Sequence, residues 1–376
     1  MKIFSCDHCG HPVFFENVQC LHCGCALAFL PDQLDLAAME PVPENEEGLL
    51  QRADAGNDSR RYRMCHNHQA HGACNFAVPV EDNNPLCASC RQTRLLPDLS
   101  VPANHERWAR IEVAKRRLYY TLARLGLEPR DPLQASASSP VYQFLADQPG
   151  IQPVMTGHDN GIITLNIAEA DDDERARRRL LLNEPYRTLL GHLRHESGHY
   201  YWNQLFIDGQ RLAEFREVFG DESLDYGQAL QNHYAHGQQT DWQEHFVSAY
   251  ATAHPWEDWA ETWAHYLHMV DLLETASAYR TRLVVPGSDG EAAARIDNPF
   301  FGNGMPDFDV LVGQWVPVTL LVNSLNRSLG QNDAYPFALA PGAMRKLRYV
   351  HELIASLSAA APAAQEPAQP PQEQTA

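Results

Sequence analysis

No cysteine occurs after position 90, so the remaining 286 residues (376 − 90) can hold neither a disulfide nor a thiolate-bound metal. Basic side chains are scarce as well: 29 Lys and Arg stand against 48 Asp and Glu, a formal net charge of −19. That balance argues against general binding to nucleic-acid backbones, which needs clustered cations to displace counterions. The basic runs Arg60–Arg63 and Arg107–Arg117 read as solvated faces. No run approaches eighteen apolar residues, so no membrane span is expected. The opening MKIFSCDHCGHPVFF has no apolar segment before Cys-rich sequence begins, so no signal peptide is expected and the default location is the cytoplasm.

What is present is concentrated. All nine cysteines lie in the first ninety residues, and in a reducing compartment C-x-x-C pairs mean metal or redox chemistry rather than disulfides. Cys6, Cys9, Cys20 and Cys23 form two C-x-x-C-G knuckles, in which glycine permits the tight turn that points both thiolates at one ion. Four sulfurs make a closed, structural zinc site. Cys65, Cys74, Cys87 and Cys90 offer a second set, with His66, His68 and His71 read as polar loop residues. Cys25 is spare and is expected to pack as a small apolar side chain. Each unit is too small to fold on its own core, so metal binding would drive folding.

The expected organisation is a zinc ribbon over 1–30, a linker over 31–60, a second Cys-rich unit over 61–98, a helical domain with a small sheet over 99–355, and a disordered tail over 356–376. Asn104 is the expected N-cap of an amphipathic helix that stops at Gly126. Gly161–Ala170 alternates Ile163, Leu165 and Ile167 with smaller or polar residues and predicts a strand. Asn183-Glu184-Pro185 and His254-Pro255 each open a further helix.

The first of these helices carries His195-Glu196-Ser197-Gly198-His199. With eighteen His and 24 Glu, an H-E-x-x-H arises by chance in roughly one such chain in twenty, so context has to decide. On a helix, His195 and His199 project from one face a turn apart and can fill two corners of a zinc tetrahedron. Glu196 lies beside them, placed to take a proton from water at an open corner. A third histidine six residues on is absent: Leu205 stands there, and Trp202 replaces the glycine of that arrangement. The alternative third ligand is a carboxylate from a later helix. WEDWAETWAHYLH places Glu257 and Glu261 four apart on a tryptophan-rich helix, where acids are costly to bury unless paired or metal-bound. Asp258 reads as a solvated first-turn acid, His192 as structural, and His245 and His254 as minor candidate donors.

CASCRQTRLLPDLS, AKRRLYYTLARLGL, RHESGHYYW and HPWEDWAETWAHYLH, after a tandem Cys-rich start, resemble the bacterial zinc-binding metallopeptidase family with an N-terminal zinc-ribbon domain. The E-x-x-A-E pattern is also similar to that of gluzincin peptidases such as anthrax lethal factor. That resemblance implies Glu257 as zinc ligand and Glu261 as the acid supporting a ligating histidine. It implies, further, that Tyr250, seven residues before Glu257, lies near the reacting oxygen, where it can stabilise an oxyanion.

The expected fold is α+β, tandem zinc-ribbon-like units before a mainly helical zincin-like domain. The expected activity is peptide-bond hydrolysis at one catalytic zinc, with two structural zincs and Glu196 as general base. The partners are a protein or peptide substrate and a protein recognised by the ribbons, with neither membrane nor nucleic acid. The strand at 161–170 is expected to be an edge strand to which substrate adds, near Leu165–Ala168. Two alternatives remain: a non-catalytic interaction module for protein or nucleic acid, and a zinc hydrolase acting on other bonds.

Overall fold

The computed structural model describes residues 1–42, 48–54, 60–128, 139–182, 188–207, 209–238, 240–285, 292–300, 306–337 and 339–360. Both knuckles close as their glycines require. Gly10 and Gly24 adopt φ of +70° and +78°, and their N–H groups bond the carbonyls of Cys6 and Cys20 at 2.8 Å. Strands β1 (Phe4–Ser5) and β2 (Pro12–Val13) flank the first knuckle. An antiparallel sheet follows in the order β3 (Ala26–Leu30), β4 (Asp35–Pro41), β5 (Leu50–Arg52), β6 (Tyr62–Met64) and β7 (Ala77–Pro79), with helix α1 (His66–His71) between the last two.

This sheet corrects the expected linker over 31–60. Leu36, Ala37 and Ala38 of β4 are fully buried, and β5 pairs with β4, so the segment joins the two Cys-rich units instead of separating them. Pro31 and Gly48 lie in turns between short strands, and the run DLAAM is the interior of one. Phe4, Phe15, Phe29 and Phe76 fill the space between sheet and first knuckle, with the Phe29 and Phe76 rings 4.5 Å apart.

Helix α2 (Pro102–Arg124) carries that core into the second half of the molecule, with Tyr120 5.5 Å from Phe15 on one side and Trp108, Leu118 and Leu122 buried on the other. It starts two residues before Asn104, because Pro102 already has a helical φ and needs no N–H partner there. Its stop at Gly126 is as expected, with φ +75°. A mixed sheet is ordered β10 (Gly157–Asp159), β11 (Ile162–Asn166), β9 (Val141–Leu145) and β8 (Thr93–Leu95). β11 is therefore interior, not the expected edge, since the chain folds back through Asn160 and Gly161 and lays β10 on its outer side. It ends at Asn166, whose side chain accepts from the Ala168 N–H and turns 167–170 into a 3₁₀ helix.

The helices that follow among the described residues are α3 (Asp172–Leu182), α4 (Leu189–Phe206), α5 (Leu212–Phe219), α6 (Tyr226–His236) and α7 (Pro255–Ala278), then, after a hairpin of β12 (Arg282–Val285) and β13 (Ala292–Arg295), α8 (Phe308–Ser328) and α9 (Pro341–Ala360). Asn183–Pro185 and residues 361–376 lie outside the described residues, whereas 356–360 belong to α9. The helix expected from Asn183 begins at Leu189, where the Thr188 hydroxyl accepts from the Gly191 N–H. By length and composition α8 could cross a bilayer; Phe308, Leu311, Trp315 and Val318 are buried in the core, whereas Val310, Val316, Leu320, Leu321 and Leu325 are exposed.

Glu128 ties these parts together. Its buried carboxylate accepts from Gln92 in the second Cys-rich unit, from Ser139 and from Tyr201 on α4, with no cation bonded to it among the described residues. Burial pushes its pKa up to about 7. A carboxyl raised in the folded state contributes stability that is complete below its unfolded pKa and is lost as pH rises through about 7. Glu128→Gln removes that dependence, so the thermal midpoint of the wild type relative to this variant should fall between pH 5 and pH 8; a constant difference contradicts the assignment.

Candidate metal centre

The pentapeptide His195–His199 lies in the middle of α4, entirely buried, against α7. Gly198 makes the contact possible: a Cβ there would sit 2.9 Å from Ala260 Cα and 3.3 Å from the Ala260 carbonyl. The tryptophans of α7 lock the pairing by hydrogen bonds, Trp259 Nε1 to the Gly198 carbonyl at 2.8 Å and Trp263 Nε1 to Ser197 Oγ at 3.1 Å. His254 caps α7, its Nδ1 accepting from the Trp256 N–H at 3.1 Å, and Pro255 follows at N1.

This packing brings three donor atoms together. Glu257 Oε2 lies 3.0 Å from His195 Nε2 and 3.5 Å from His199 Nε2, and the two imidazole nitrogens are 3.1 Å apart. Bonds of roughly 2.0–2.1 Å to a tetrahedral ion separate neighbouring donors by roughly 3.3 Å, so the set fits a zinc ion. Glu257 Oε2 is buried and accepts no hydrogen bond, as a ligand atom should be. The thiolates fit equally well. Cys6–Cys23 and Cys9–Cys20 are 3.7 Å apart, Cys74–Cys87 3.8 Å and Cys74–Cys90 3.6 Å, against roughly 3.8 Å for tetrahedral Zn–S bonds of about 2.3 Å. Cys65 completes the second cluster.

The surroundings of His195 are built to hold it. Its Nδ1 meets Glu261 Oε1 at 2.6 Å, and the other oxygen of Glu261 accepts from Ser248 Oγ at 2.6 Å. Burial alone would lower the His195 pKa, but Glu257 and Glu261 outweigh it and hold the group well above its ordinary value. Burial likewise raises Glu261, yet bonds from His195 bring it down to about 2. Glu196, next to His195 in the chain, is buried with Oε2 bonded to nothing. The Tyr250 ring lies 6.0 Å from that of His195, and its hydroxyl makes no hydrogen bond among the described residues.

Three neighbours were not legible in the sequence. The Tyr226 hydroxyl on α6 donates to Glu257 Oε1 at 2.6 Å. Trp256 packs its ring 3.9 Å from His199, and His158 on β10 stands 6.3 Å from the same imidazole. The Gly161 N–H donates to His158 Nε2, and burial lowers the His158 pKa to about 4, so this ring is neutral.

The remaining candidates do not join the three donor atoms, although the His192 ring lies 6.5 Å from that of His195. His192 pairs with Glu169 at 2.5 Å, and His245 is exposed against Gly342. His68 bonds the Cys74 carbonyl, while His71 packs on Trp108. Cys25 is half-buried and groups with Cys23 and His8, away from the histidine pair. Asp258 is a correction: α9 covers its side of α7, so the acid is fully buried and paired with Lys346 at 2.6 Å. Burial holds its pKa up to about 7 in spite of that lysine.

Two four-cysteine clusters in a β-rich unit and a His-His-Glu cluster between two helices define an α+β protein of the zinc-binding metallopeptidase class. Residues 104–353 match a family described as "putative zinc-binding metallo-peptidase", and residues 3–101 match a zinc-ribbon domain. The chain belongs to that metallopeptidase family. It is 38% identical over 360 residues to uncharacterized proteins of Mycobacterium tuberculosis (Rv2568c) and Mycobacterium bovis (Mb2598c), covering 94% of this chain and 95% of each relative. No solved structure matches it.

Gly198→Ala should force α4 and α7 apart, since the new methyl meets backbone. The expected result is about 1–3 kcal/mol lost from stability together with weakened metal uptake at the histidine pair. Unchanged melting and uptake would contradict the close packing.

Proposed function

We propose that this chain is a zinc-dependent peptidase of the gluzincin type, acting on extended segments of protein. The observation that carries the reading is the convergence of His195, His199 and Glu257, with Glu196, next to His195 in the chain, buried and its Oε2 unbonded. A closed structural site has no use for such a base.

His195, His199 and Glu257 would hold the catalytic zinc, and Cys6, Cys9, Cys20 and Cys23 and Cys65, Cys74, Cys87 and Cys90 two structural ones. Zinc at the histidine site supplies Lewis acidity, lowering the pKa of a water toward neutrality and polarising the scissile carbonyl. Glu196 accepts the proton of the attacking water and delivers it to the leaving amine. Tyr250, with its hydroxyl uncommitted, donates to the carbonyl oxygen as charge develops there. Glu261, braced by Ser248, keeps His195 in the tautomer whose Nε2 is free for metal.

The interior position of β11 moves the substrate to β10. That strand pairs with β11 on one side only among the described residues, and its His158 faces His199, so a peptide adding to its other side runs past the metal position. A protein partner recognised by the zinc ribbons and a reducing, cytoplasmic location, in which nine thiols remain available, belong to the same reading.

Glu196→Gln should retain metal at the histidine site while hydrolysis of a denatured protein mixture falls by about 10²–10⁴-fold or more. Wild-type cleavage should disappear with chelator. Undiminished turnover by the variant would remove Glu196 from the mechanism, and a wild type that cleaves no protein would remove peptides as substrates.

A further inference from the structure

We propose that Tyr226 is a positioning residue for the metal: its hydroxyl holds Glu257 in one-oxygen ligation and thereby couples docking of α6 to occupancy of the site. This rests on the metal-site reading above and assigns a role to an element which that reading leaves unused.

The two oxygens of Glu257 have different partners. Oε2 faces both imidazoles and accepts no hydrogen bond, while Oε1 takes the Tyr226 hydroxyl at 2.6 Å. A phenol donates to a carboxylate, so Oε1 is held toward Tyr226 and away from the imidazoles, and Oε2 is the oxygen presented to the ion. Without the hydroxyl, Oε1 would be a buried acceptor with nothing to bond, or would turn toward the ion and make the ligation bidentate. Tyr250 does not share this task, since its hydroxyl bonds nothing described.

The element that delivers Tyr226 is unusual. Helix α6 has no buried residue, so little apolar burial holds it in place. Its half-buried positions, Ala229, Leu230 and His233, lie three, four and seven residues after Tyr226 and form one narrow stripe with it. Besides the Tyr226 hydroxyl, polar contacts of this region with the body include His233 to Thr252 Oγ1 at 3.3 Å and the Leu224 carbonyl to His254 Nε2 at 3.1 Å. Gly220 and Gly237, at φ +99° and +75°, stand before and just after the helix. Docking of α6 therefore rests on a few polar bonds and on ring contacts of Tyr226 with His254 and Trp256 and of His233 with Tyr250, and one of those bonds ends on Glu257. If docked α6 raises metal affinity, bound metal must favour docked α6 by the same factor.

The test uses the full chain, with metal stripped from the histidine site by a weak chelator and both four-cysteine clusters left loaded. Cobalt(II) is then titrated into wild type and Tyr226→Phe, with retained zinc and circular dichroism checking the fold. The variant should bind about 10–100-fold more weakly. Its d–d absorption should also weaken as coordination rises from four to five. In the wild type, backbone amides of α6 should exchange more slowly with metal than without it, a difference the variant should lack. Indistinguishable affinity, spectrum and exchange in the two proteins overturn the inference alone. A wild type that takes up no metal at the histidine pair overturns the site reading, and the inference with it.

Discussion

The near-contact of two helix backbones at Gly198 and Ala260 is the constraint on which the rest of the site depends. Only because position 198 has no side chain can α4 approach α7 closely enough for two imidazoles on one helix and a carboxylate on the other to reach a common point. The tryptophans around it follow from the same need. Trp259 and Trp263 fill the space beside the contact and spend their indole N–H groups on Gly198 and Ser197, which fixes the rotation of α4 about its axis. That rotation places His195 and His199 toward Glu257 and leaves Glu196 beside them.

The Cys-rich half is continuous with this architecture rather than appended to it. Helix α2 has one face in the aromatic core of the ribbon sheet and the other in the core that holds α4 and α7. Arg116, buried on this helix, donates to the Ala73 carbonyl beside Cys74. β8, which follows the 3₁₀ turn Cys90–Gln92, is a strand of the sheet that carries β10 and β11. Loss of metal from the second cluster would consequently disturb one end of the sheet on which the proposed substrate strand lies.

Much of the candidate metal centre was legible in the sequence because its candidate ligands come in two short helical motifs. H-E-x-x-H and the Glu257/Glu261 pair each express a helical repeat, and acids on a tryptophan-rich face needed a partner. What escaped has a common cause. Tyr226 and Ser248 reach the site from a helix and a turn whose local sequence carries no ligand pattern, so only the tertiary fold reveals them. Asp258 looked solvated by its place in the first turn of α7, but burial was decided by α9, some eighty residues later. The edge strand was missed because β10 spans just Gly157–Asp159, too short for alternation to show, and the strand pattern belonged to its interior neighbour. β4 was read as linker for the opposite reason: turn residues around it obscured a short, fully buried apolar run.

Everything proposed for the site requires that His195, His199 and Glu257 share an ion. The most direct measurement is an anomalous difference map at the zinc edge from crystals of the full chain. A peak is predicted within about 2.0–2.2 Å of His195 Nε2, His199 Nε2 and Glu257 Oε2, in addition to one in each four-cysteine cluster. Filled cysteine clusters with no peak between α4 and α7, or an ion there from which Glu257 has turned away, would contradict it.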